Sequence, residues 1–244
     1  MPRTRLYIPA PLAGAASLDL TPEQAHYLGR VLRMKPGEAL TVFDGRGSEF
    51  AAVVQSLGKS RARLDIGAAR DGNRESHRDV RLIQGVSRGE RMDFVVQKAT
   101  ELGVTSIQPV MTERTVVRLD DDRRTRRHAH WQRIAIGACE QCGRSRLPDI
   151  LPPVSLADYL ANDSDATLRA TLSPQATERL ADAKIPDHGA AELLVGPEGG
   201  LSRAEREHAH AAGFASFCLG PRVLRSETAA LAAVTIVQTF WGDL

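Results

Sequence analysis

The chain has 244 residues, of which 42% are hydrophobic and 25% are charged, and its formal net charge is +2. This length predicts one large domain or two unequal ones, and the composition is that of a globular protein whose core needs no disulfides. Aromatic residues make up only 5%, which argues against a base-stacking RNA platform, and so small a net charge does not by itself indicate a nucleic-acid partner.

The first seventy residues are predicted to form a small β domain. Residues 3–8 indicate a strand, and Thr21-Pro22-Glu23-Gln24 has the pattern of a helix start with a capping box, for a helix that ends near residue 36. Short strands at 40–43, 50–55 and 62–66 then suggest a barrel or a sandwich. Residues 1–72 hold ten basic and seven acidic residues, a net charge of +3 that suits phosphate contacts or merely a solvated surface.

The polar stretch 68–79 marks the predicted boundary, so that the two domains span residues 1–72 and 73–244. Beyond it strands and helices alternate, which favours a mostly parallel sheet. The predicted strands are 80–86, 106–110, 168–172, 192–195 and 214–219, and the predicted helices are 90–102, 122–142, 202–212 and 227–241. Ser202 and Glu205 have the spacing of a second capping box.

No membrane or metal signal accompanies these elements. The longest apolar stretch, residues 228–237, is about half of the roughly 20 residues that a spanning helix needs. Cys139 and Cys142 have CxxC spacing, but they lie in a helical pattern without a second pair at ligand spacing, so we interpret them as small helix residues. We therefore expect a cytoplasmic protein with no metal and no membrane partner.

Two glycine-containing loops, each leading from a strand into a helix, carry the strongest functional signal. Residues 193–202 read LLVGPEGGLS, and residues 218–228 read CLGPRVLRSET. Glycine lets the backbone approach a ligand closely, and the carboxyl ends of parallel strands are where α/β sheets usually bind small molecules. Neither the P-loop nor the dinucleotide fingerprint occurs, which disfavours nucleoside triphosphates and NAD. Periodicity alone leaves open that each loop is only a tight connection.

The two loops and their spacing resemble the C-terminal motifs of the SPOUT methyltransferases, and more narrowly the family that methylates N3 of a uridine in 16S ribosomal RNA. Residues 87–92 and 97–104 resemble that family's first catalytic block, and residues 113–114 with the helix 131–144 resemble the next. The resemblance covers residues 80–244 well and the N-terminal module in outline, and it is weakest over residues 155–190.

This resemblance implies an α/β C-terminal domain with a deep trefoil knot, preceded by a small PUA-like β-barrel that grips RNA. It implies S-adenosylmethionine as cofactor, bound in the knot, and a homodimer that acts on 16S ribosomal RNA or the small ribosomal subunit. Two alternatives remain open: a non-catalytic RNA-binding or ribosome assembly factor, and a SPOUT methyltransferase that acts on tRNA or on the ribose 2′-oxygen.

The matched motifs also imply which residues bind the cofactor and which contact RNA. Those predicted to line the cofactor pocket are Leu172, Leu194, Gly196, Gly199, Gly200, Leu219, Gly220, Val223 and Leu224. For the leucines the alternative is core packing, and for the glycines it is turn geometry alone. Three arginines are predicted to contact RNA, although ion-paired or solvated side chains explain them nearly as well: Arg88, Arg114 and Arg144.

Three residues in the two loops are catalytic candidates. A methyl group on a sulfonium is already activated, so the protein mainly has to align it with the acceptor and remove the proton from uracil N3. Glu198 and Glu227 are the candidate bases, and Arg225 is the candidate to stabilise negative charge on the uracil carbonyls. The alternative for Glu227 is a first-turn acid that favours its helix dipole, and for Arg225 it is a structural ion pair.

Overall fold

The structure is a computed structural model that describes residues 4–71, 74–115, 120–184 and 188–244. The chain divides into two compact units: Met1–Glu75 with Cys139–Leu147, and Ser76–Ala138 with Pro148–Leu244. The boundary predicted between residues 72 and 73 lies outside the described residues, as does Arg3, the predicted start of the first strand.

The first unit contains a five-stranded sheet. Its strands are β1 (Arg5–Tyr7), β2 (Ser17–Leu20), β3 (Ala39–Phe43), β4 (Ser48–Leu57) and β5 (Ala62–Asp71), in the spatial order β1-β3-β4-β5-β2. Only β1 and β3 are parallel. The strands β1, β3, β4 and β5 were expected, whereas β2 was missed because it has only four residues, SLDL, too few to show a clear strand pattern. Two register shifts between β4 and β5 bend this long hairpin, whose apolar side chains form one core.

The predicted capping box at Thr21 is confirmed and begins helix α1 (Pro22–His26). The Thr21 hydroxyl accepts from the Gln24 N–H at 3.2 Å, and the Gln24 side chain accepts from the Thr21 N–H at 3.0 Å. The helix continues directly as a π-helical turn over Tyr27–Val31, so the helical segment ends earlier than the pattern suggested. Leu28 in this turn is fully buried in the core of the first unit.

The second unit is built on a parallel sheet of seven strands, as the strand–helix alternation predicted. They are β6 (Asp79–Gly85), β7 (Ser106–Met111), β8 (Asp149–Ile150), β9 (Val154–Ser155), β10 (Leu168–Leu172), β11 (Ala190–Val195) and β12 (Ala215–Phe217). The spatial order is β12-β10-β11-β6-β7-β8, and β9 also pairs with β7. The sequence did not indicate β8 and β9, which have two residues each.

Helices cover both faces of this sheet. They are α2 (Glu90–Glu101), α3 (Asp121–Cys142), α4 (Leu156–Leu160), α5 (Arg203–Ala211) and α6 (Ser226–Trp241), and α4 was not predicted. One buried cluster contains side chains of α2, α3 and α6 against the sheet, and a second contains side chains of α4 and α5 against its other face. This two-sided burial explains why β11 is apolar along almost its whole length. No helix in the described ranges is long and apolar enough to cross a membrane.

Candidate active site

A cavity of about 640 Å³ opens at the carboxyl edge of the parallel sheet in the second unit. The last residues of β10, β11 and β12, which are Leu172, Val195 and Phe217, form part of its wall. The two glycine loops, over residues 196–201 and 219–225, form most of the rest. This is the edge at which parallel α/β sheets usually bind ligands.

Most of the residues predicted for the cofactor pocket line this one cavity: Leu172, Gly196, Gly199, Gly200, Leu219, Gly220, Val223 and Leu224. Leu194 does not. Its side chain is fully buried among Ile83, Val110 and Phe214 on the other face of the sheet, whereas the next residue, Val195, lines the cavity. A role for Leu194 toward a cofactor therefore rests on its backbone.

Local geometry explains the glycines of the first loop. Residues 197–200 form a turn in which the Gly200 N–H donates to the Pro197 carbonyl at 2.8 Å, and Gly200 has a φ of 66°, which favours glycine. A Cβ on Gly196 would lie 3.0 Å from the backbone at Gly200 and Leu201. The loop then enters α5 through the predicted Ser202–Glu205 capping box, which is confirmed.

Glu198 is held by groups that precede and begin α2. One of its carboxylate oxygens accepts from the Arg88 N–H at 3.1 Å and from the Arg91 guanidinium at 2.8 Å. Partial burial acts to raise the pKa of Glu198. The hydrogen bonds from its own backbone, from Arg88 and from Arg91 outweigh that effect, so its pKa lies below the ordinary value. Glu198 is thus a stabilised carboxylate that ties the loop 196–200 to the start of α2.

We expect Glu198→Gln to lower the free energy of unfolding at neutral pH by less than about 1 kcal/mol, because partly exposed ion pairs are weak. Since the pKa of Glu198 in the folded state lies below its ordinary value of 4.5, its contribution is present above that value and is lost as the pH falls through the folded-state pKa. Urea unfolding between about pH 7 and pH 3 measures this. A stability difference from the parent that stays constant over this range would contradict it.

Glu227 has a different environment in the first turn of α6. It lines the cavity, and its Oε2 atom is buried without a hydrogen-bond partner in the part of the chain that the structure describes. A buried carboxylate oxygen without a donor is costly, so it is the kind of group that a bound ligand satisfies. The structure brings Glu198 and Glu227 to the same cavity, in unlike surroundings.

Five arginines lie around the cavity: Arg91, Arg114, Arg206, Arg222 and Arg225. Arg114 donates to the Gly199 carbonyl at 2.8 Å, and Arg206 donates to the Leu201 carbonyl at 2.6 Å. Arg225 is the N-cap residue of α6, and it forms no ion pair with any residue that the structure describes, so the ion-pair alternative has no support there. Two carboxylates against five guanidinium groups leave the surroundings of the cavity positively charged, which favours an anionic substrate beside it.

The other two arginines predicted to contact RNA, Arg88 and Arg144, do not line the cavity. Arg88 is exposed beside the cavity and does not line it, although its N–H holds Glu198. Arg144 belongs to the first unit, where its guanidinium donates to Glu75 at 2.8 and 2.9 Å and its side chain is only 5% exposed. Its position suits a residue that stabilises the first unit, so any contribution of Arg144 to RNA binding stays a prediction.

Three buried residues that the sequence did not single out support the cavity: Ser226 lines it, Gln84 bonds to Ser226, and Gly85 lies against the loop 196–200. Gln84 and Gly85 end β6, and Ser226 begins α6. The Ser226 hydroxyl donates to the Gly196 carbonyl at 2.6 Å and accepts from the Gln84 side chain at 3.1 Å. The available signals were a glutamine inside the otherwise apolar run 82–86 and a serine inside the CLGPRVLRSET string.

The parts of the chain that the structure describes contain no group of three or more His, Cys, Asp or Glu side chains suited to a metal ion. Cys139 is buried, and burial raises the pKa of its thiol to about 12. This thiol is therefore protonated at neutral pH, which agrees with the interpretation of the CxxC pattern as helix packing.

Residues 74–238 match the family model described as an RNA methyltransferase domain, and residues 20–67 match the one described as an RNA methyltransferase PUA domain. The parallel sheet with its edge cavity accounts for the first match, and the five-stranded unit accounts for the second. Fold and site together define an RNA methyltransferase.

Similar proteins show which family of RNA methyltransferases this chain resembles. A ribosomal RNA small subunit methyltransferase E of Buchnera aphidicola is 32% identical over 98% of this chain and 97% of its own length. The crystal structure of a protein of that name from Neisseria gonorrhoeae, bound to S-adenosyl methionine, is 42% identical with a TM-score of 0.94 and 99% coverage of both chains. A putative methyltransferase from Legionella pneumophila in complex with SAM is 38% identical, with a TM-score of 0.95 and full coverage of both chains.

The chain therefore belongs to the ribosomal RNA small subunit methyltransferase E family. The family, the RNA methyltransferase activity and the PUA-like domain predicted from the sequence are confirmed.

Proposed function

We propose that this protein transfers a methyl group from S-adenosylmethionine to N3 of a uridine in the 16S RNA of the small ribosomal subunit. The observation that carries the proposal is the edge cavity, in which two glycine loops, two unlike carboxylates and five arginines meet. The names of the relatives indicate ribosomal RNA as the substrate, and the ligand bound in the two similar solved structures indicates S-adenosylmethionine as the cofactor.

The residues of the cavity fit this cofactor. Its volume of about 640 Å³ lies within the range of small-molecule sites. Leu172, Leu219 and Leu224 are half-buried and offer apolar surface to a nucleoside, and the glycines, which have no side chain, let a ligand approach the loop backbone closely. When bound, the cofactor supplies a methyl group on a positively charged sulfur, which is an activated electrophile.

The chain itself has to hold the uracil and accept its N3 proton. Glu227 is the better placed base, because its Oε2 atom has no donor among the described residues, whereas Glu198 already accepts from Arg88 and Arg91. Arg225, exposed at the start of α6, is free to stabilise negative charge on the uracil carbonyls as the proton leaves. Glu198 then acts by fixing the loop 196–200.

We assign RNA binding to the PUA-like domain, residues 1–72, and methyl transfer and dimerisation to the SPOUT domain, residues 73–244. The +3 charge of residues 1–72 supports the first assignment. Arg88 and Arg114, beside and in the cavity wall, are proposed to contact the RNA near the reacting base. With ribosomal RNA as its substrate, the protein would work in the cytoplasm.

A trefoil knot and a homodimer are part of the same proposal. Two backbone hydrogen bonds, Cys218 N–H to Glu178 and Leu180 N–H to Cys218, tie the segment after β10 to the loop after β12, which is the region where a knot would form. Phe94, Val223, Phe240 and Leu244 are exposed apolar side chains of the second unit, as a dimer interface requires. Sedimentation equilibrium tests the dimer.

The decisive experiment is carried out on RNA from a strain that lacks this gene. Mass spectrometry should find one 16S uridine without its N3 methyl group, and the purified protein with S-adenosylmethionine should restore that group. Small subunits and naked 16S RNA should be offered as parallel substrates. Restored methylation on tRNA or on a ribose 2′-oxygen, or cofactor binding without any transfer, would contradict the proposal.

A further inference from the structure

A short, largely buried series of hydrogen bonds connects two segments of the cavity wall to the end of β6, which lies behind that wall. Gln84 is fully buried at the end of β6, and its Nε2 atom donates to the Gly85 carbonyl at 2.9 Å and to the Ser226 hydroxyl at 3.1 Å. The Ser226 hydroxyl in turn donates to the Gly196 carbonyl at 2.6 Å. The end of β6, the first turn of α6 and the loop after β11 are thereby joined.

The direction of these bonds is fixed by the chemistry of the groups. A backbone carbonyl only accepts hydrogen bonds, so the atom of Gln84 that faces the Gly85 carbonyl has to be the amide nitrogen. That nitrogen only donates, and the single Ser226 proton is therefore left for the Gly196 carbonyl. The hydrogen bonds therefore run in one direction only, from the Gln84 amide to the Ser226 hydroxyl and from that hydroxyl to the Gly196 carbonyl.

Stability alone does not explain a glutamine at this position. Its neighbours Leu82 and Ile83 are buried and apolar, and the Gln84 Oε1 atom is buried without a partner in the described part of the chain. A buried amide with one atom unsatisfied is less favourable than an apolar side chain of similar size. Gln84 lowers stability, yet it is connected through Ser226 to a loop of the functional cavity. Such a residue indicates a role in that cavity.

We propose that Gln84 is a positioning residue for cofactor binding, which acts through Ser226 on the loop 196–200. This inference rests on the proposed function. Three of the five residues in that loop are glycines, so side-chain packing holds it weakly, and its order has to come from hydrogen bonds, those of the Glu198 side chain and those to the loop backbone. The bond from Ser226 to the Gly196 carbonyl orders the loop before the cofactor arrives, which removes an entropic cost from binding.

The test measures cofactor affinity and turnover in Gln84→Leu, Ser226→Ala and the double variant. Each single variant should raise the Kd for S-adenosylmethionine in calorimetry by about tenfold, which is the scale of one hydrogen bond, while kcat at saturating cofactor changes by less than about twofold. Because both residues act through the same bond, the double variant should also show about a tenfold rise and not about a hundredfold one. Ser226→Thr, which keeps the hydroxyl, should restore affinity.

Gln108 provides a matched control. It is a buried glutamine of β7 whose amide also donates to the next residue's carbonyl, Pro109, and to a loop carbonyl, Pro152, at 2.9 Å each. Gln84 pairs with Pro109 in the sheet, so the Gln108 side chain lies on the opposite face, away from the cofactor cavity. Gln108→Leu should leave the cofactor Kd unchanged.

A Kd within twofold of the parent value in Gln84→Leu, or multiplied effects in the double variant, would overturn the inference. If Gln84→Leu does not fold, the Ser226→Ala and Ser226→Thr pair carries the same test. A parent protein that binds no S-adenosylmethionine would instead contradict the proposed function itself, so the two failures are distinguishable.

Discussion

Gly85→Ala is expected to raise the Kd for S-adenosylmethionine by about a hundredfold or more, although it adds a single methyl group. A Cβ on Gly85 would lie 2.5 Å from both the N and Cδ atoms of Pro197 and 2.9 Å from the Gly196 carbonyl carbon. These are backbone and ring atoms, which cannot rotate away. Either the end of β6 or the loop 196–200 therefore has to move, and this loop forms the cavity wall. Calorimetry with the cofactor measures the effect.

Gly137→Ala is the control for this substitution. Gly137 lies inside α3, and a Cβ there would meet no atom within 4 Å apart from the backbone of its own helix. An alanine in a helix interior should raise the free energy of unfolding by about 0.5–1 kcal/mol and leave the cofactor Kd unchanged. Gly85→Ala with a Kd within threefold of the parent value would show that the close approach of β6 and Pro197 does not determine the shape of the cavity.

The local features of the fold could be predicted because they depend on neighbouring residues. The Thr21 and Ser202 capping boxes, the strand 168–172 and the alternation of strands and helices are all encoded within a few positions. The glycine loops were found for the same reason, since each directly follows a strand. Parallel pairing then brings the ends of β10, β11 and β12 to one edge without any further information.

The contacts that shape the cavity could not be predicted, because they join distant parts of the chain. Glu198 meets Arg91 and Ser226 meets Gln84, over separations of 107 and 142 residues, and these depend on β11 lying between β10 and β6. The sequence also could not show that Val195, and not Leu194, faces the cavity. All six residues of β11 are buried, so the sequence shows no alternation that tells the cavity side from the other face.

Glu227→Gln is expected to lower kcat for methyl transfer by about a hundredfold or more, with a cofactor Kd within about threefold of the parent value. The variant keeps the size and the hydrogen-bonding reach of the side chain in the cavity wall, but it cannot accept a proton from uracil N3. Raising the pH should restore part of the rate, because solvent then removes the N3 proton in place of the carboxylate. Single-turnover kinetics at saturating cofactor measure this step.

Glu198→Gln is the matched comparison in the same cavity. This variant weakens the bonds to Arg88 and Arg91 that fix the loop 196–200, so we expect it to raise the cofactor Kd more than it lowers kcat. A first-turn acid that only favours the dipole of α6 predicts a different result for Glu227→Gln, namely a lower free energy of unfolding with an unchanged kcat. If Glu198→Gln, and not Glu227→Gln, shows the loss of kcat with recovery at high pH, the N3 proton goes to Glu198 and our assignment of the base is wrong.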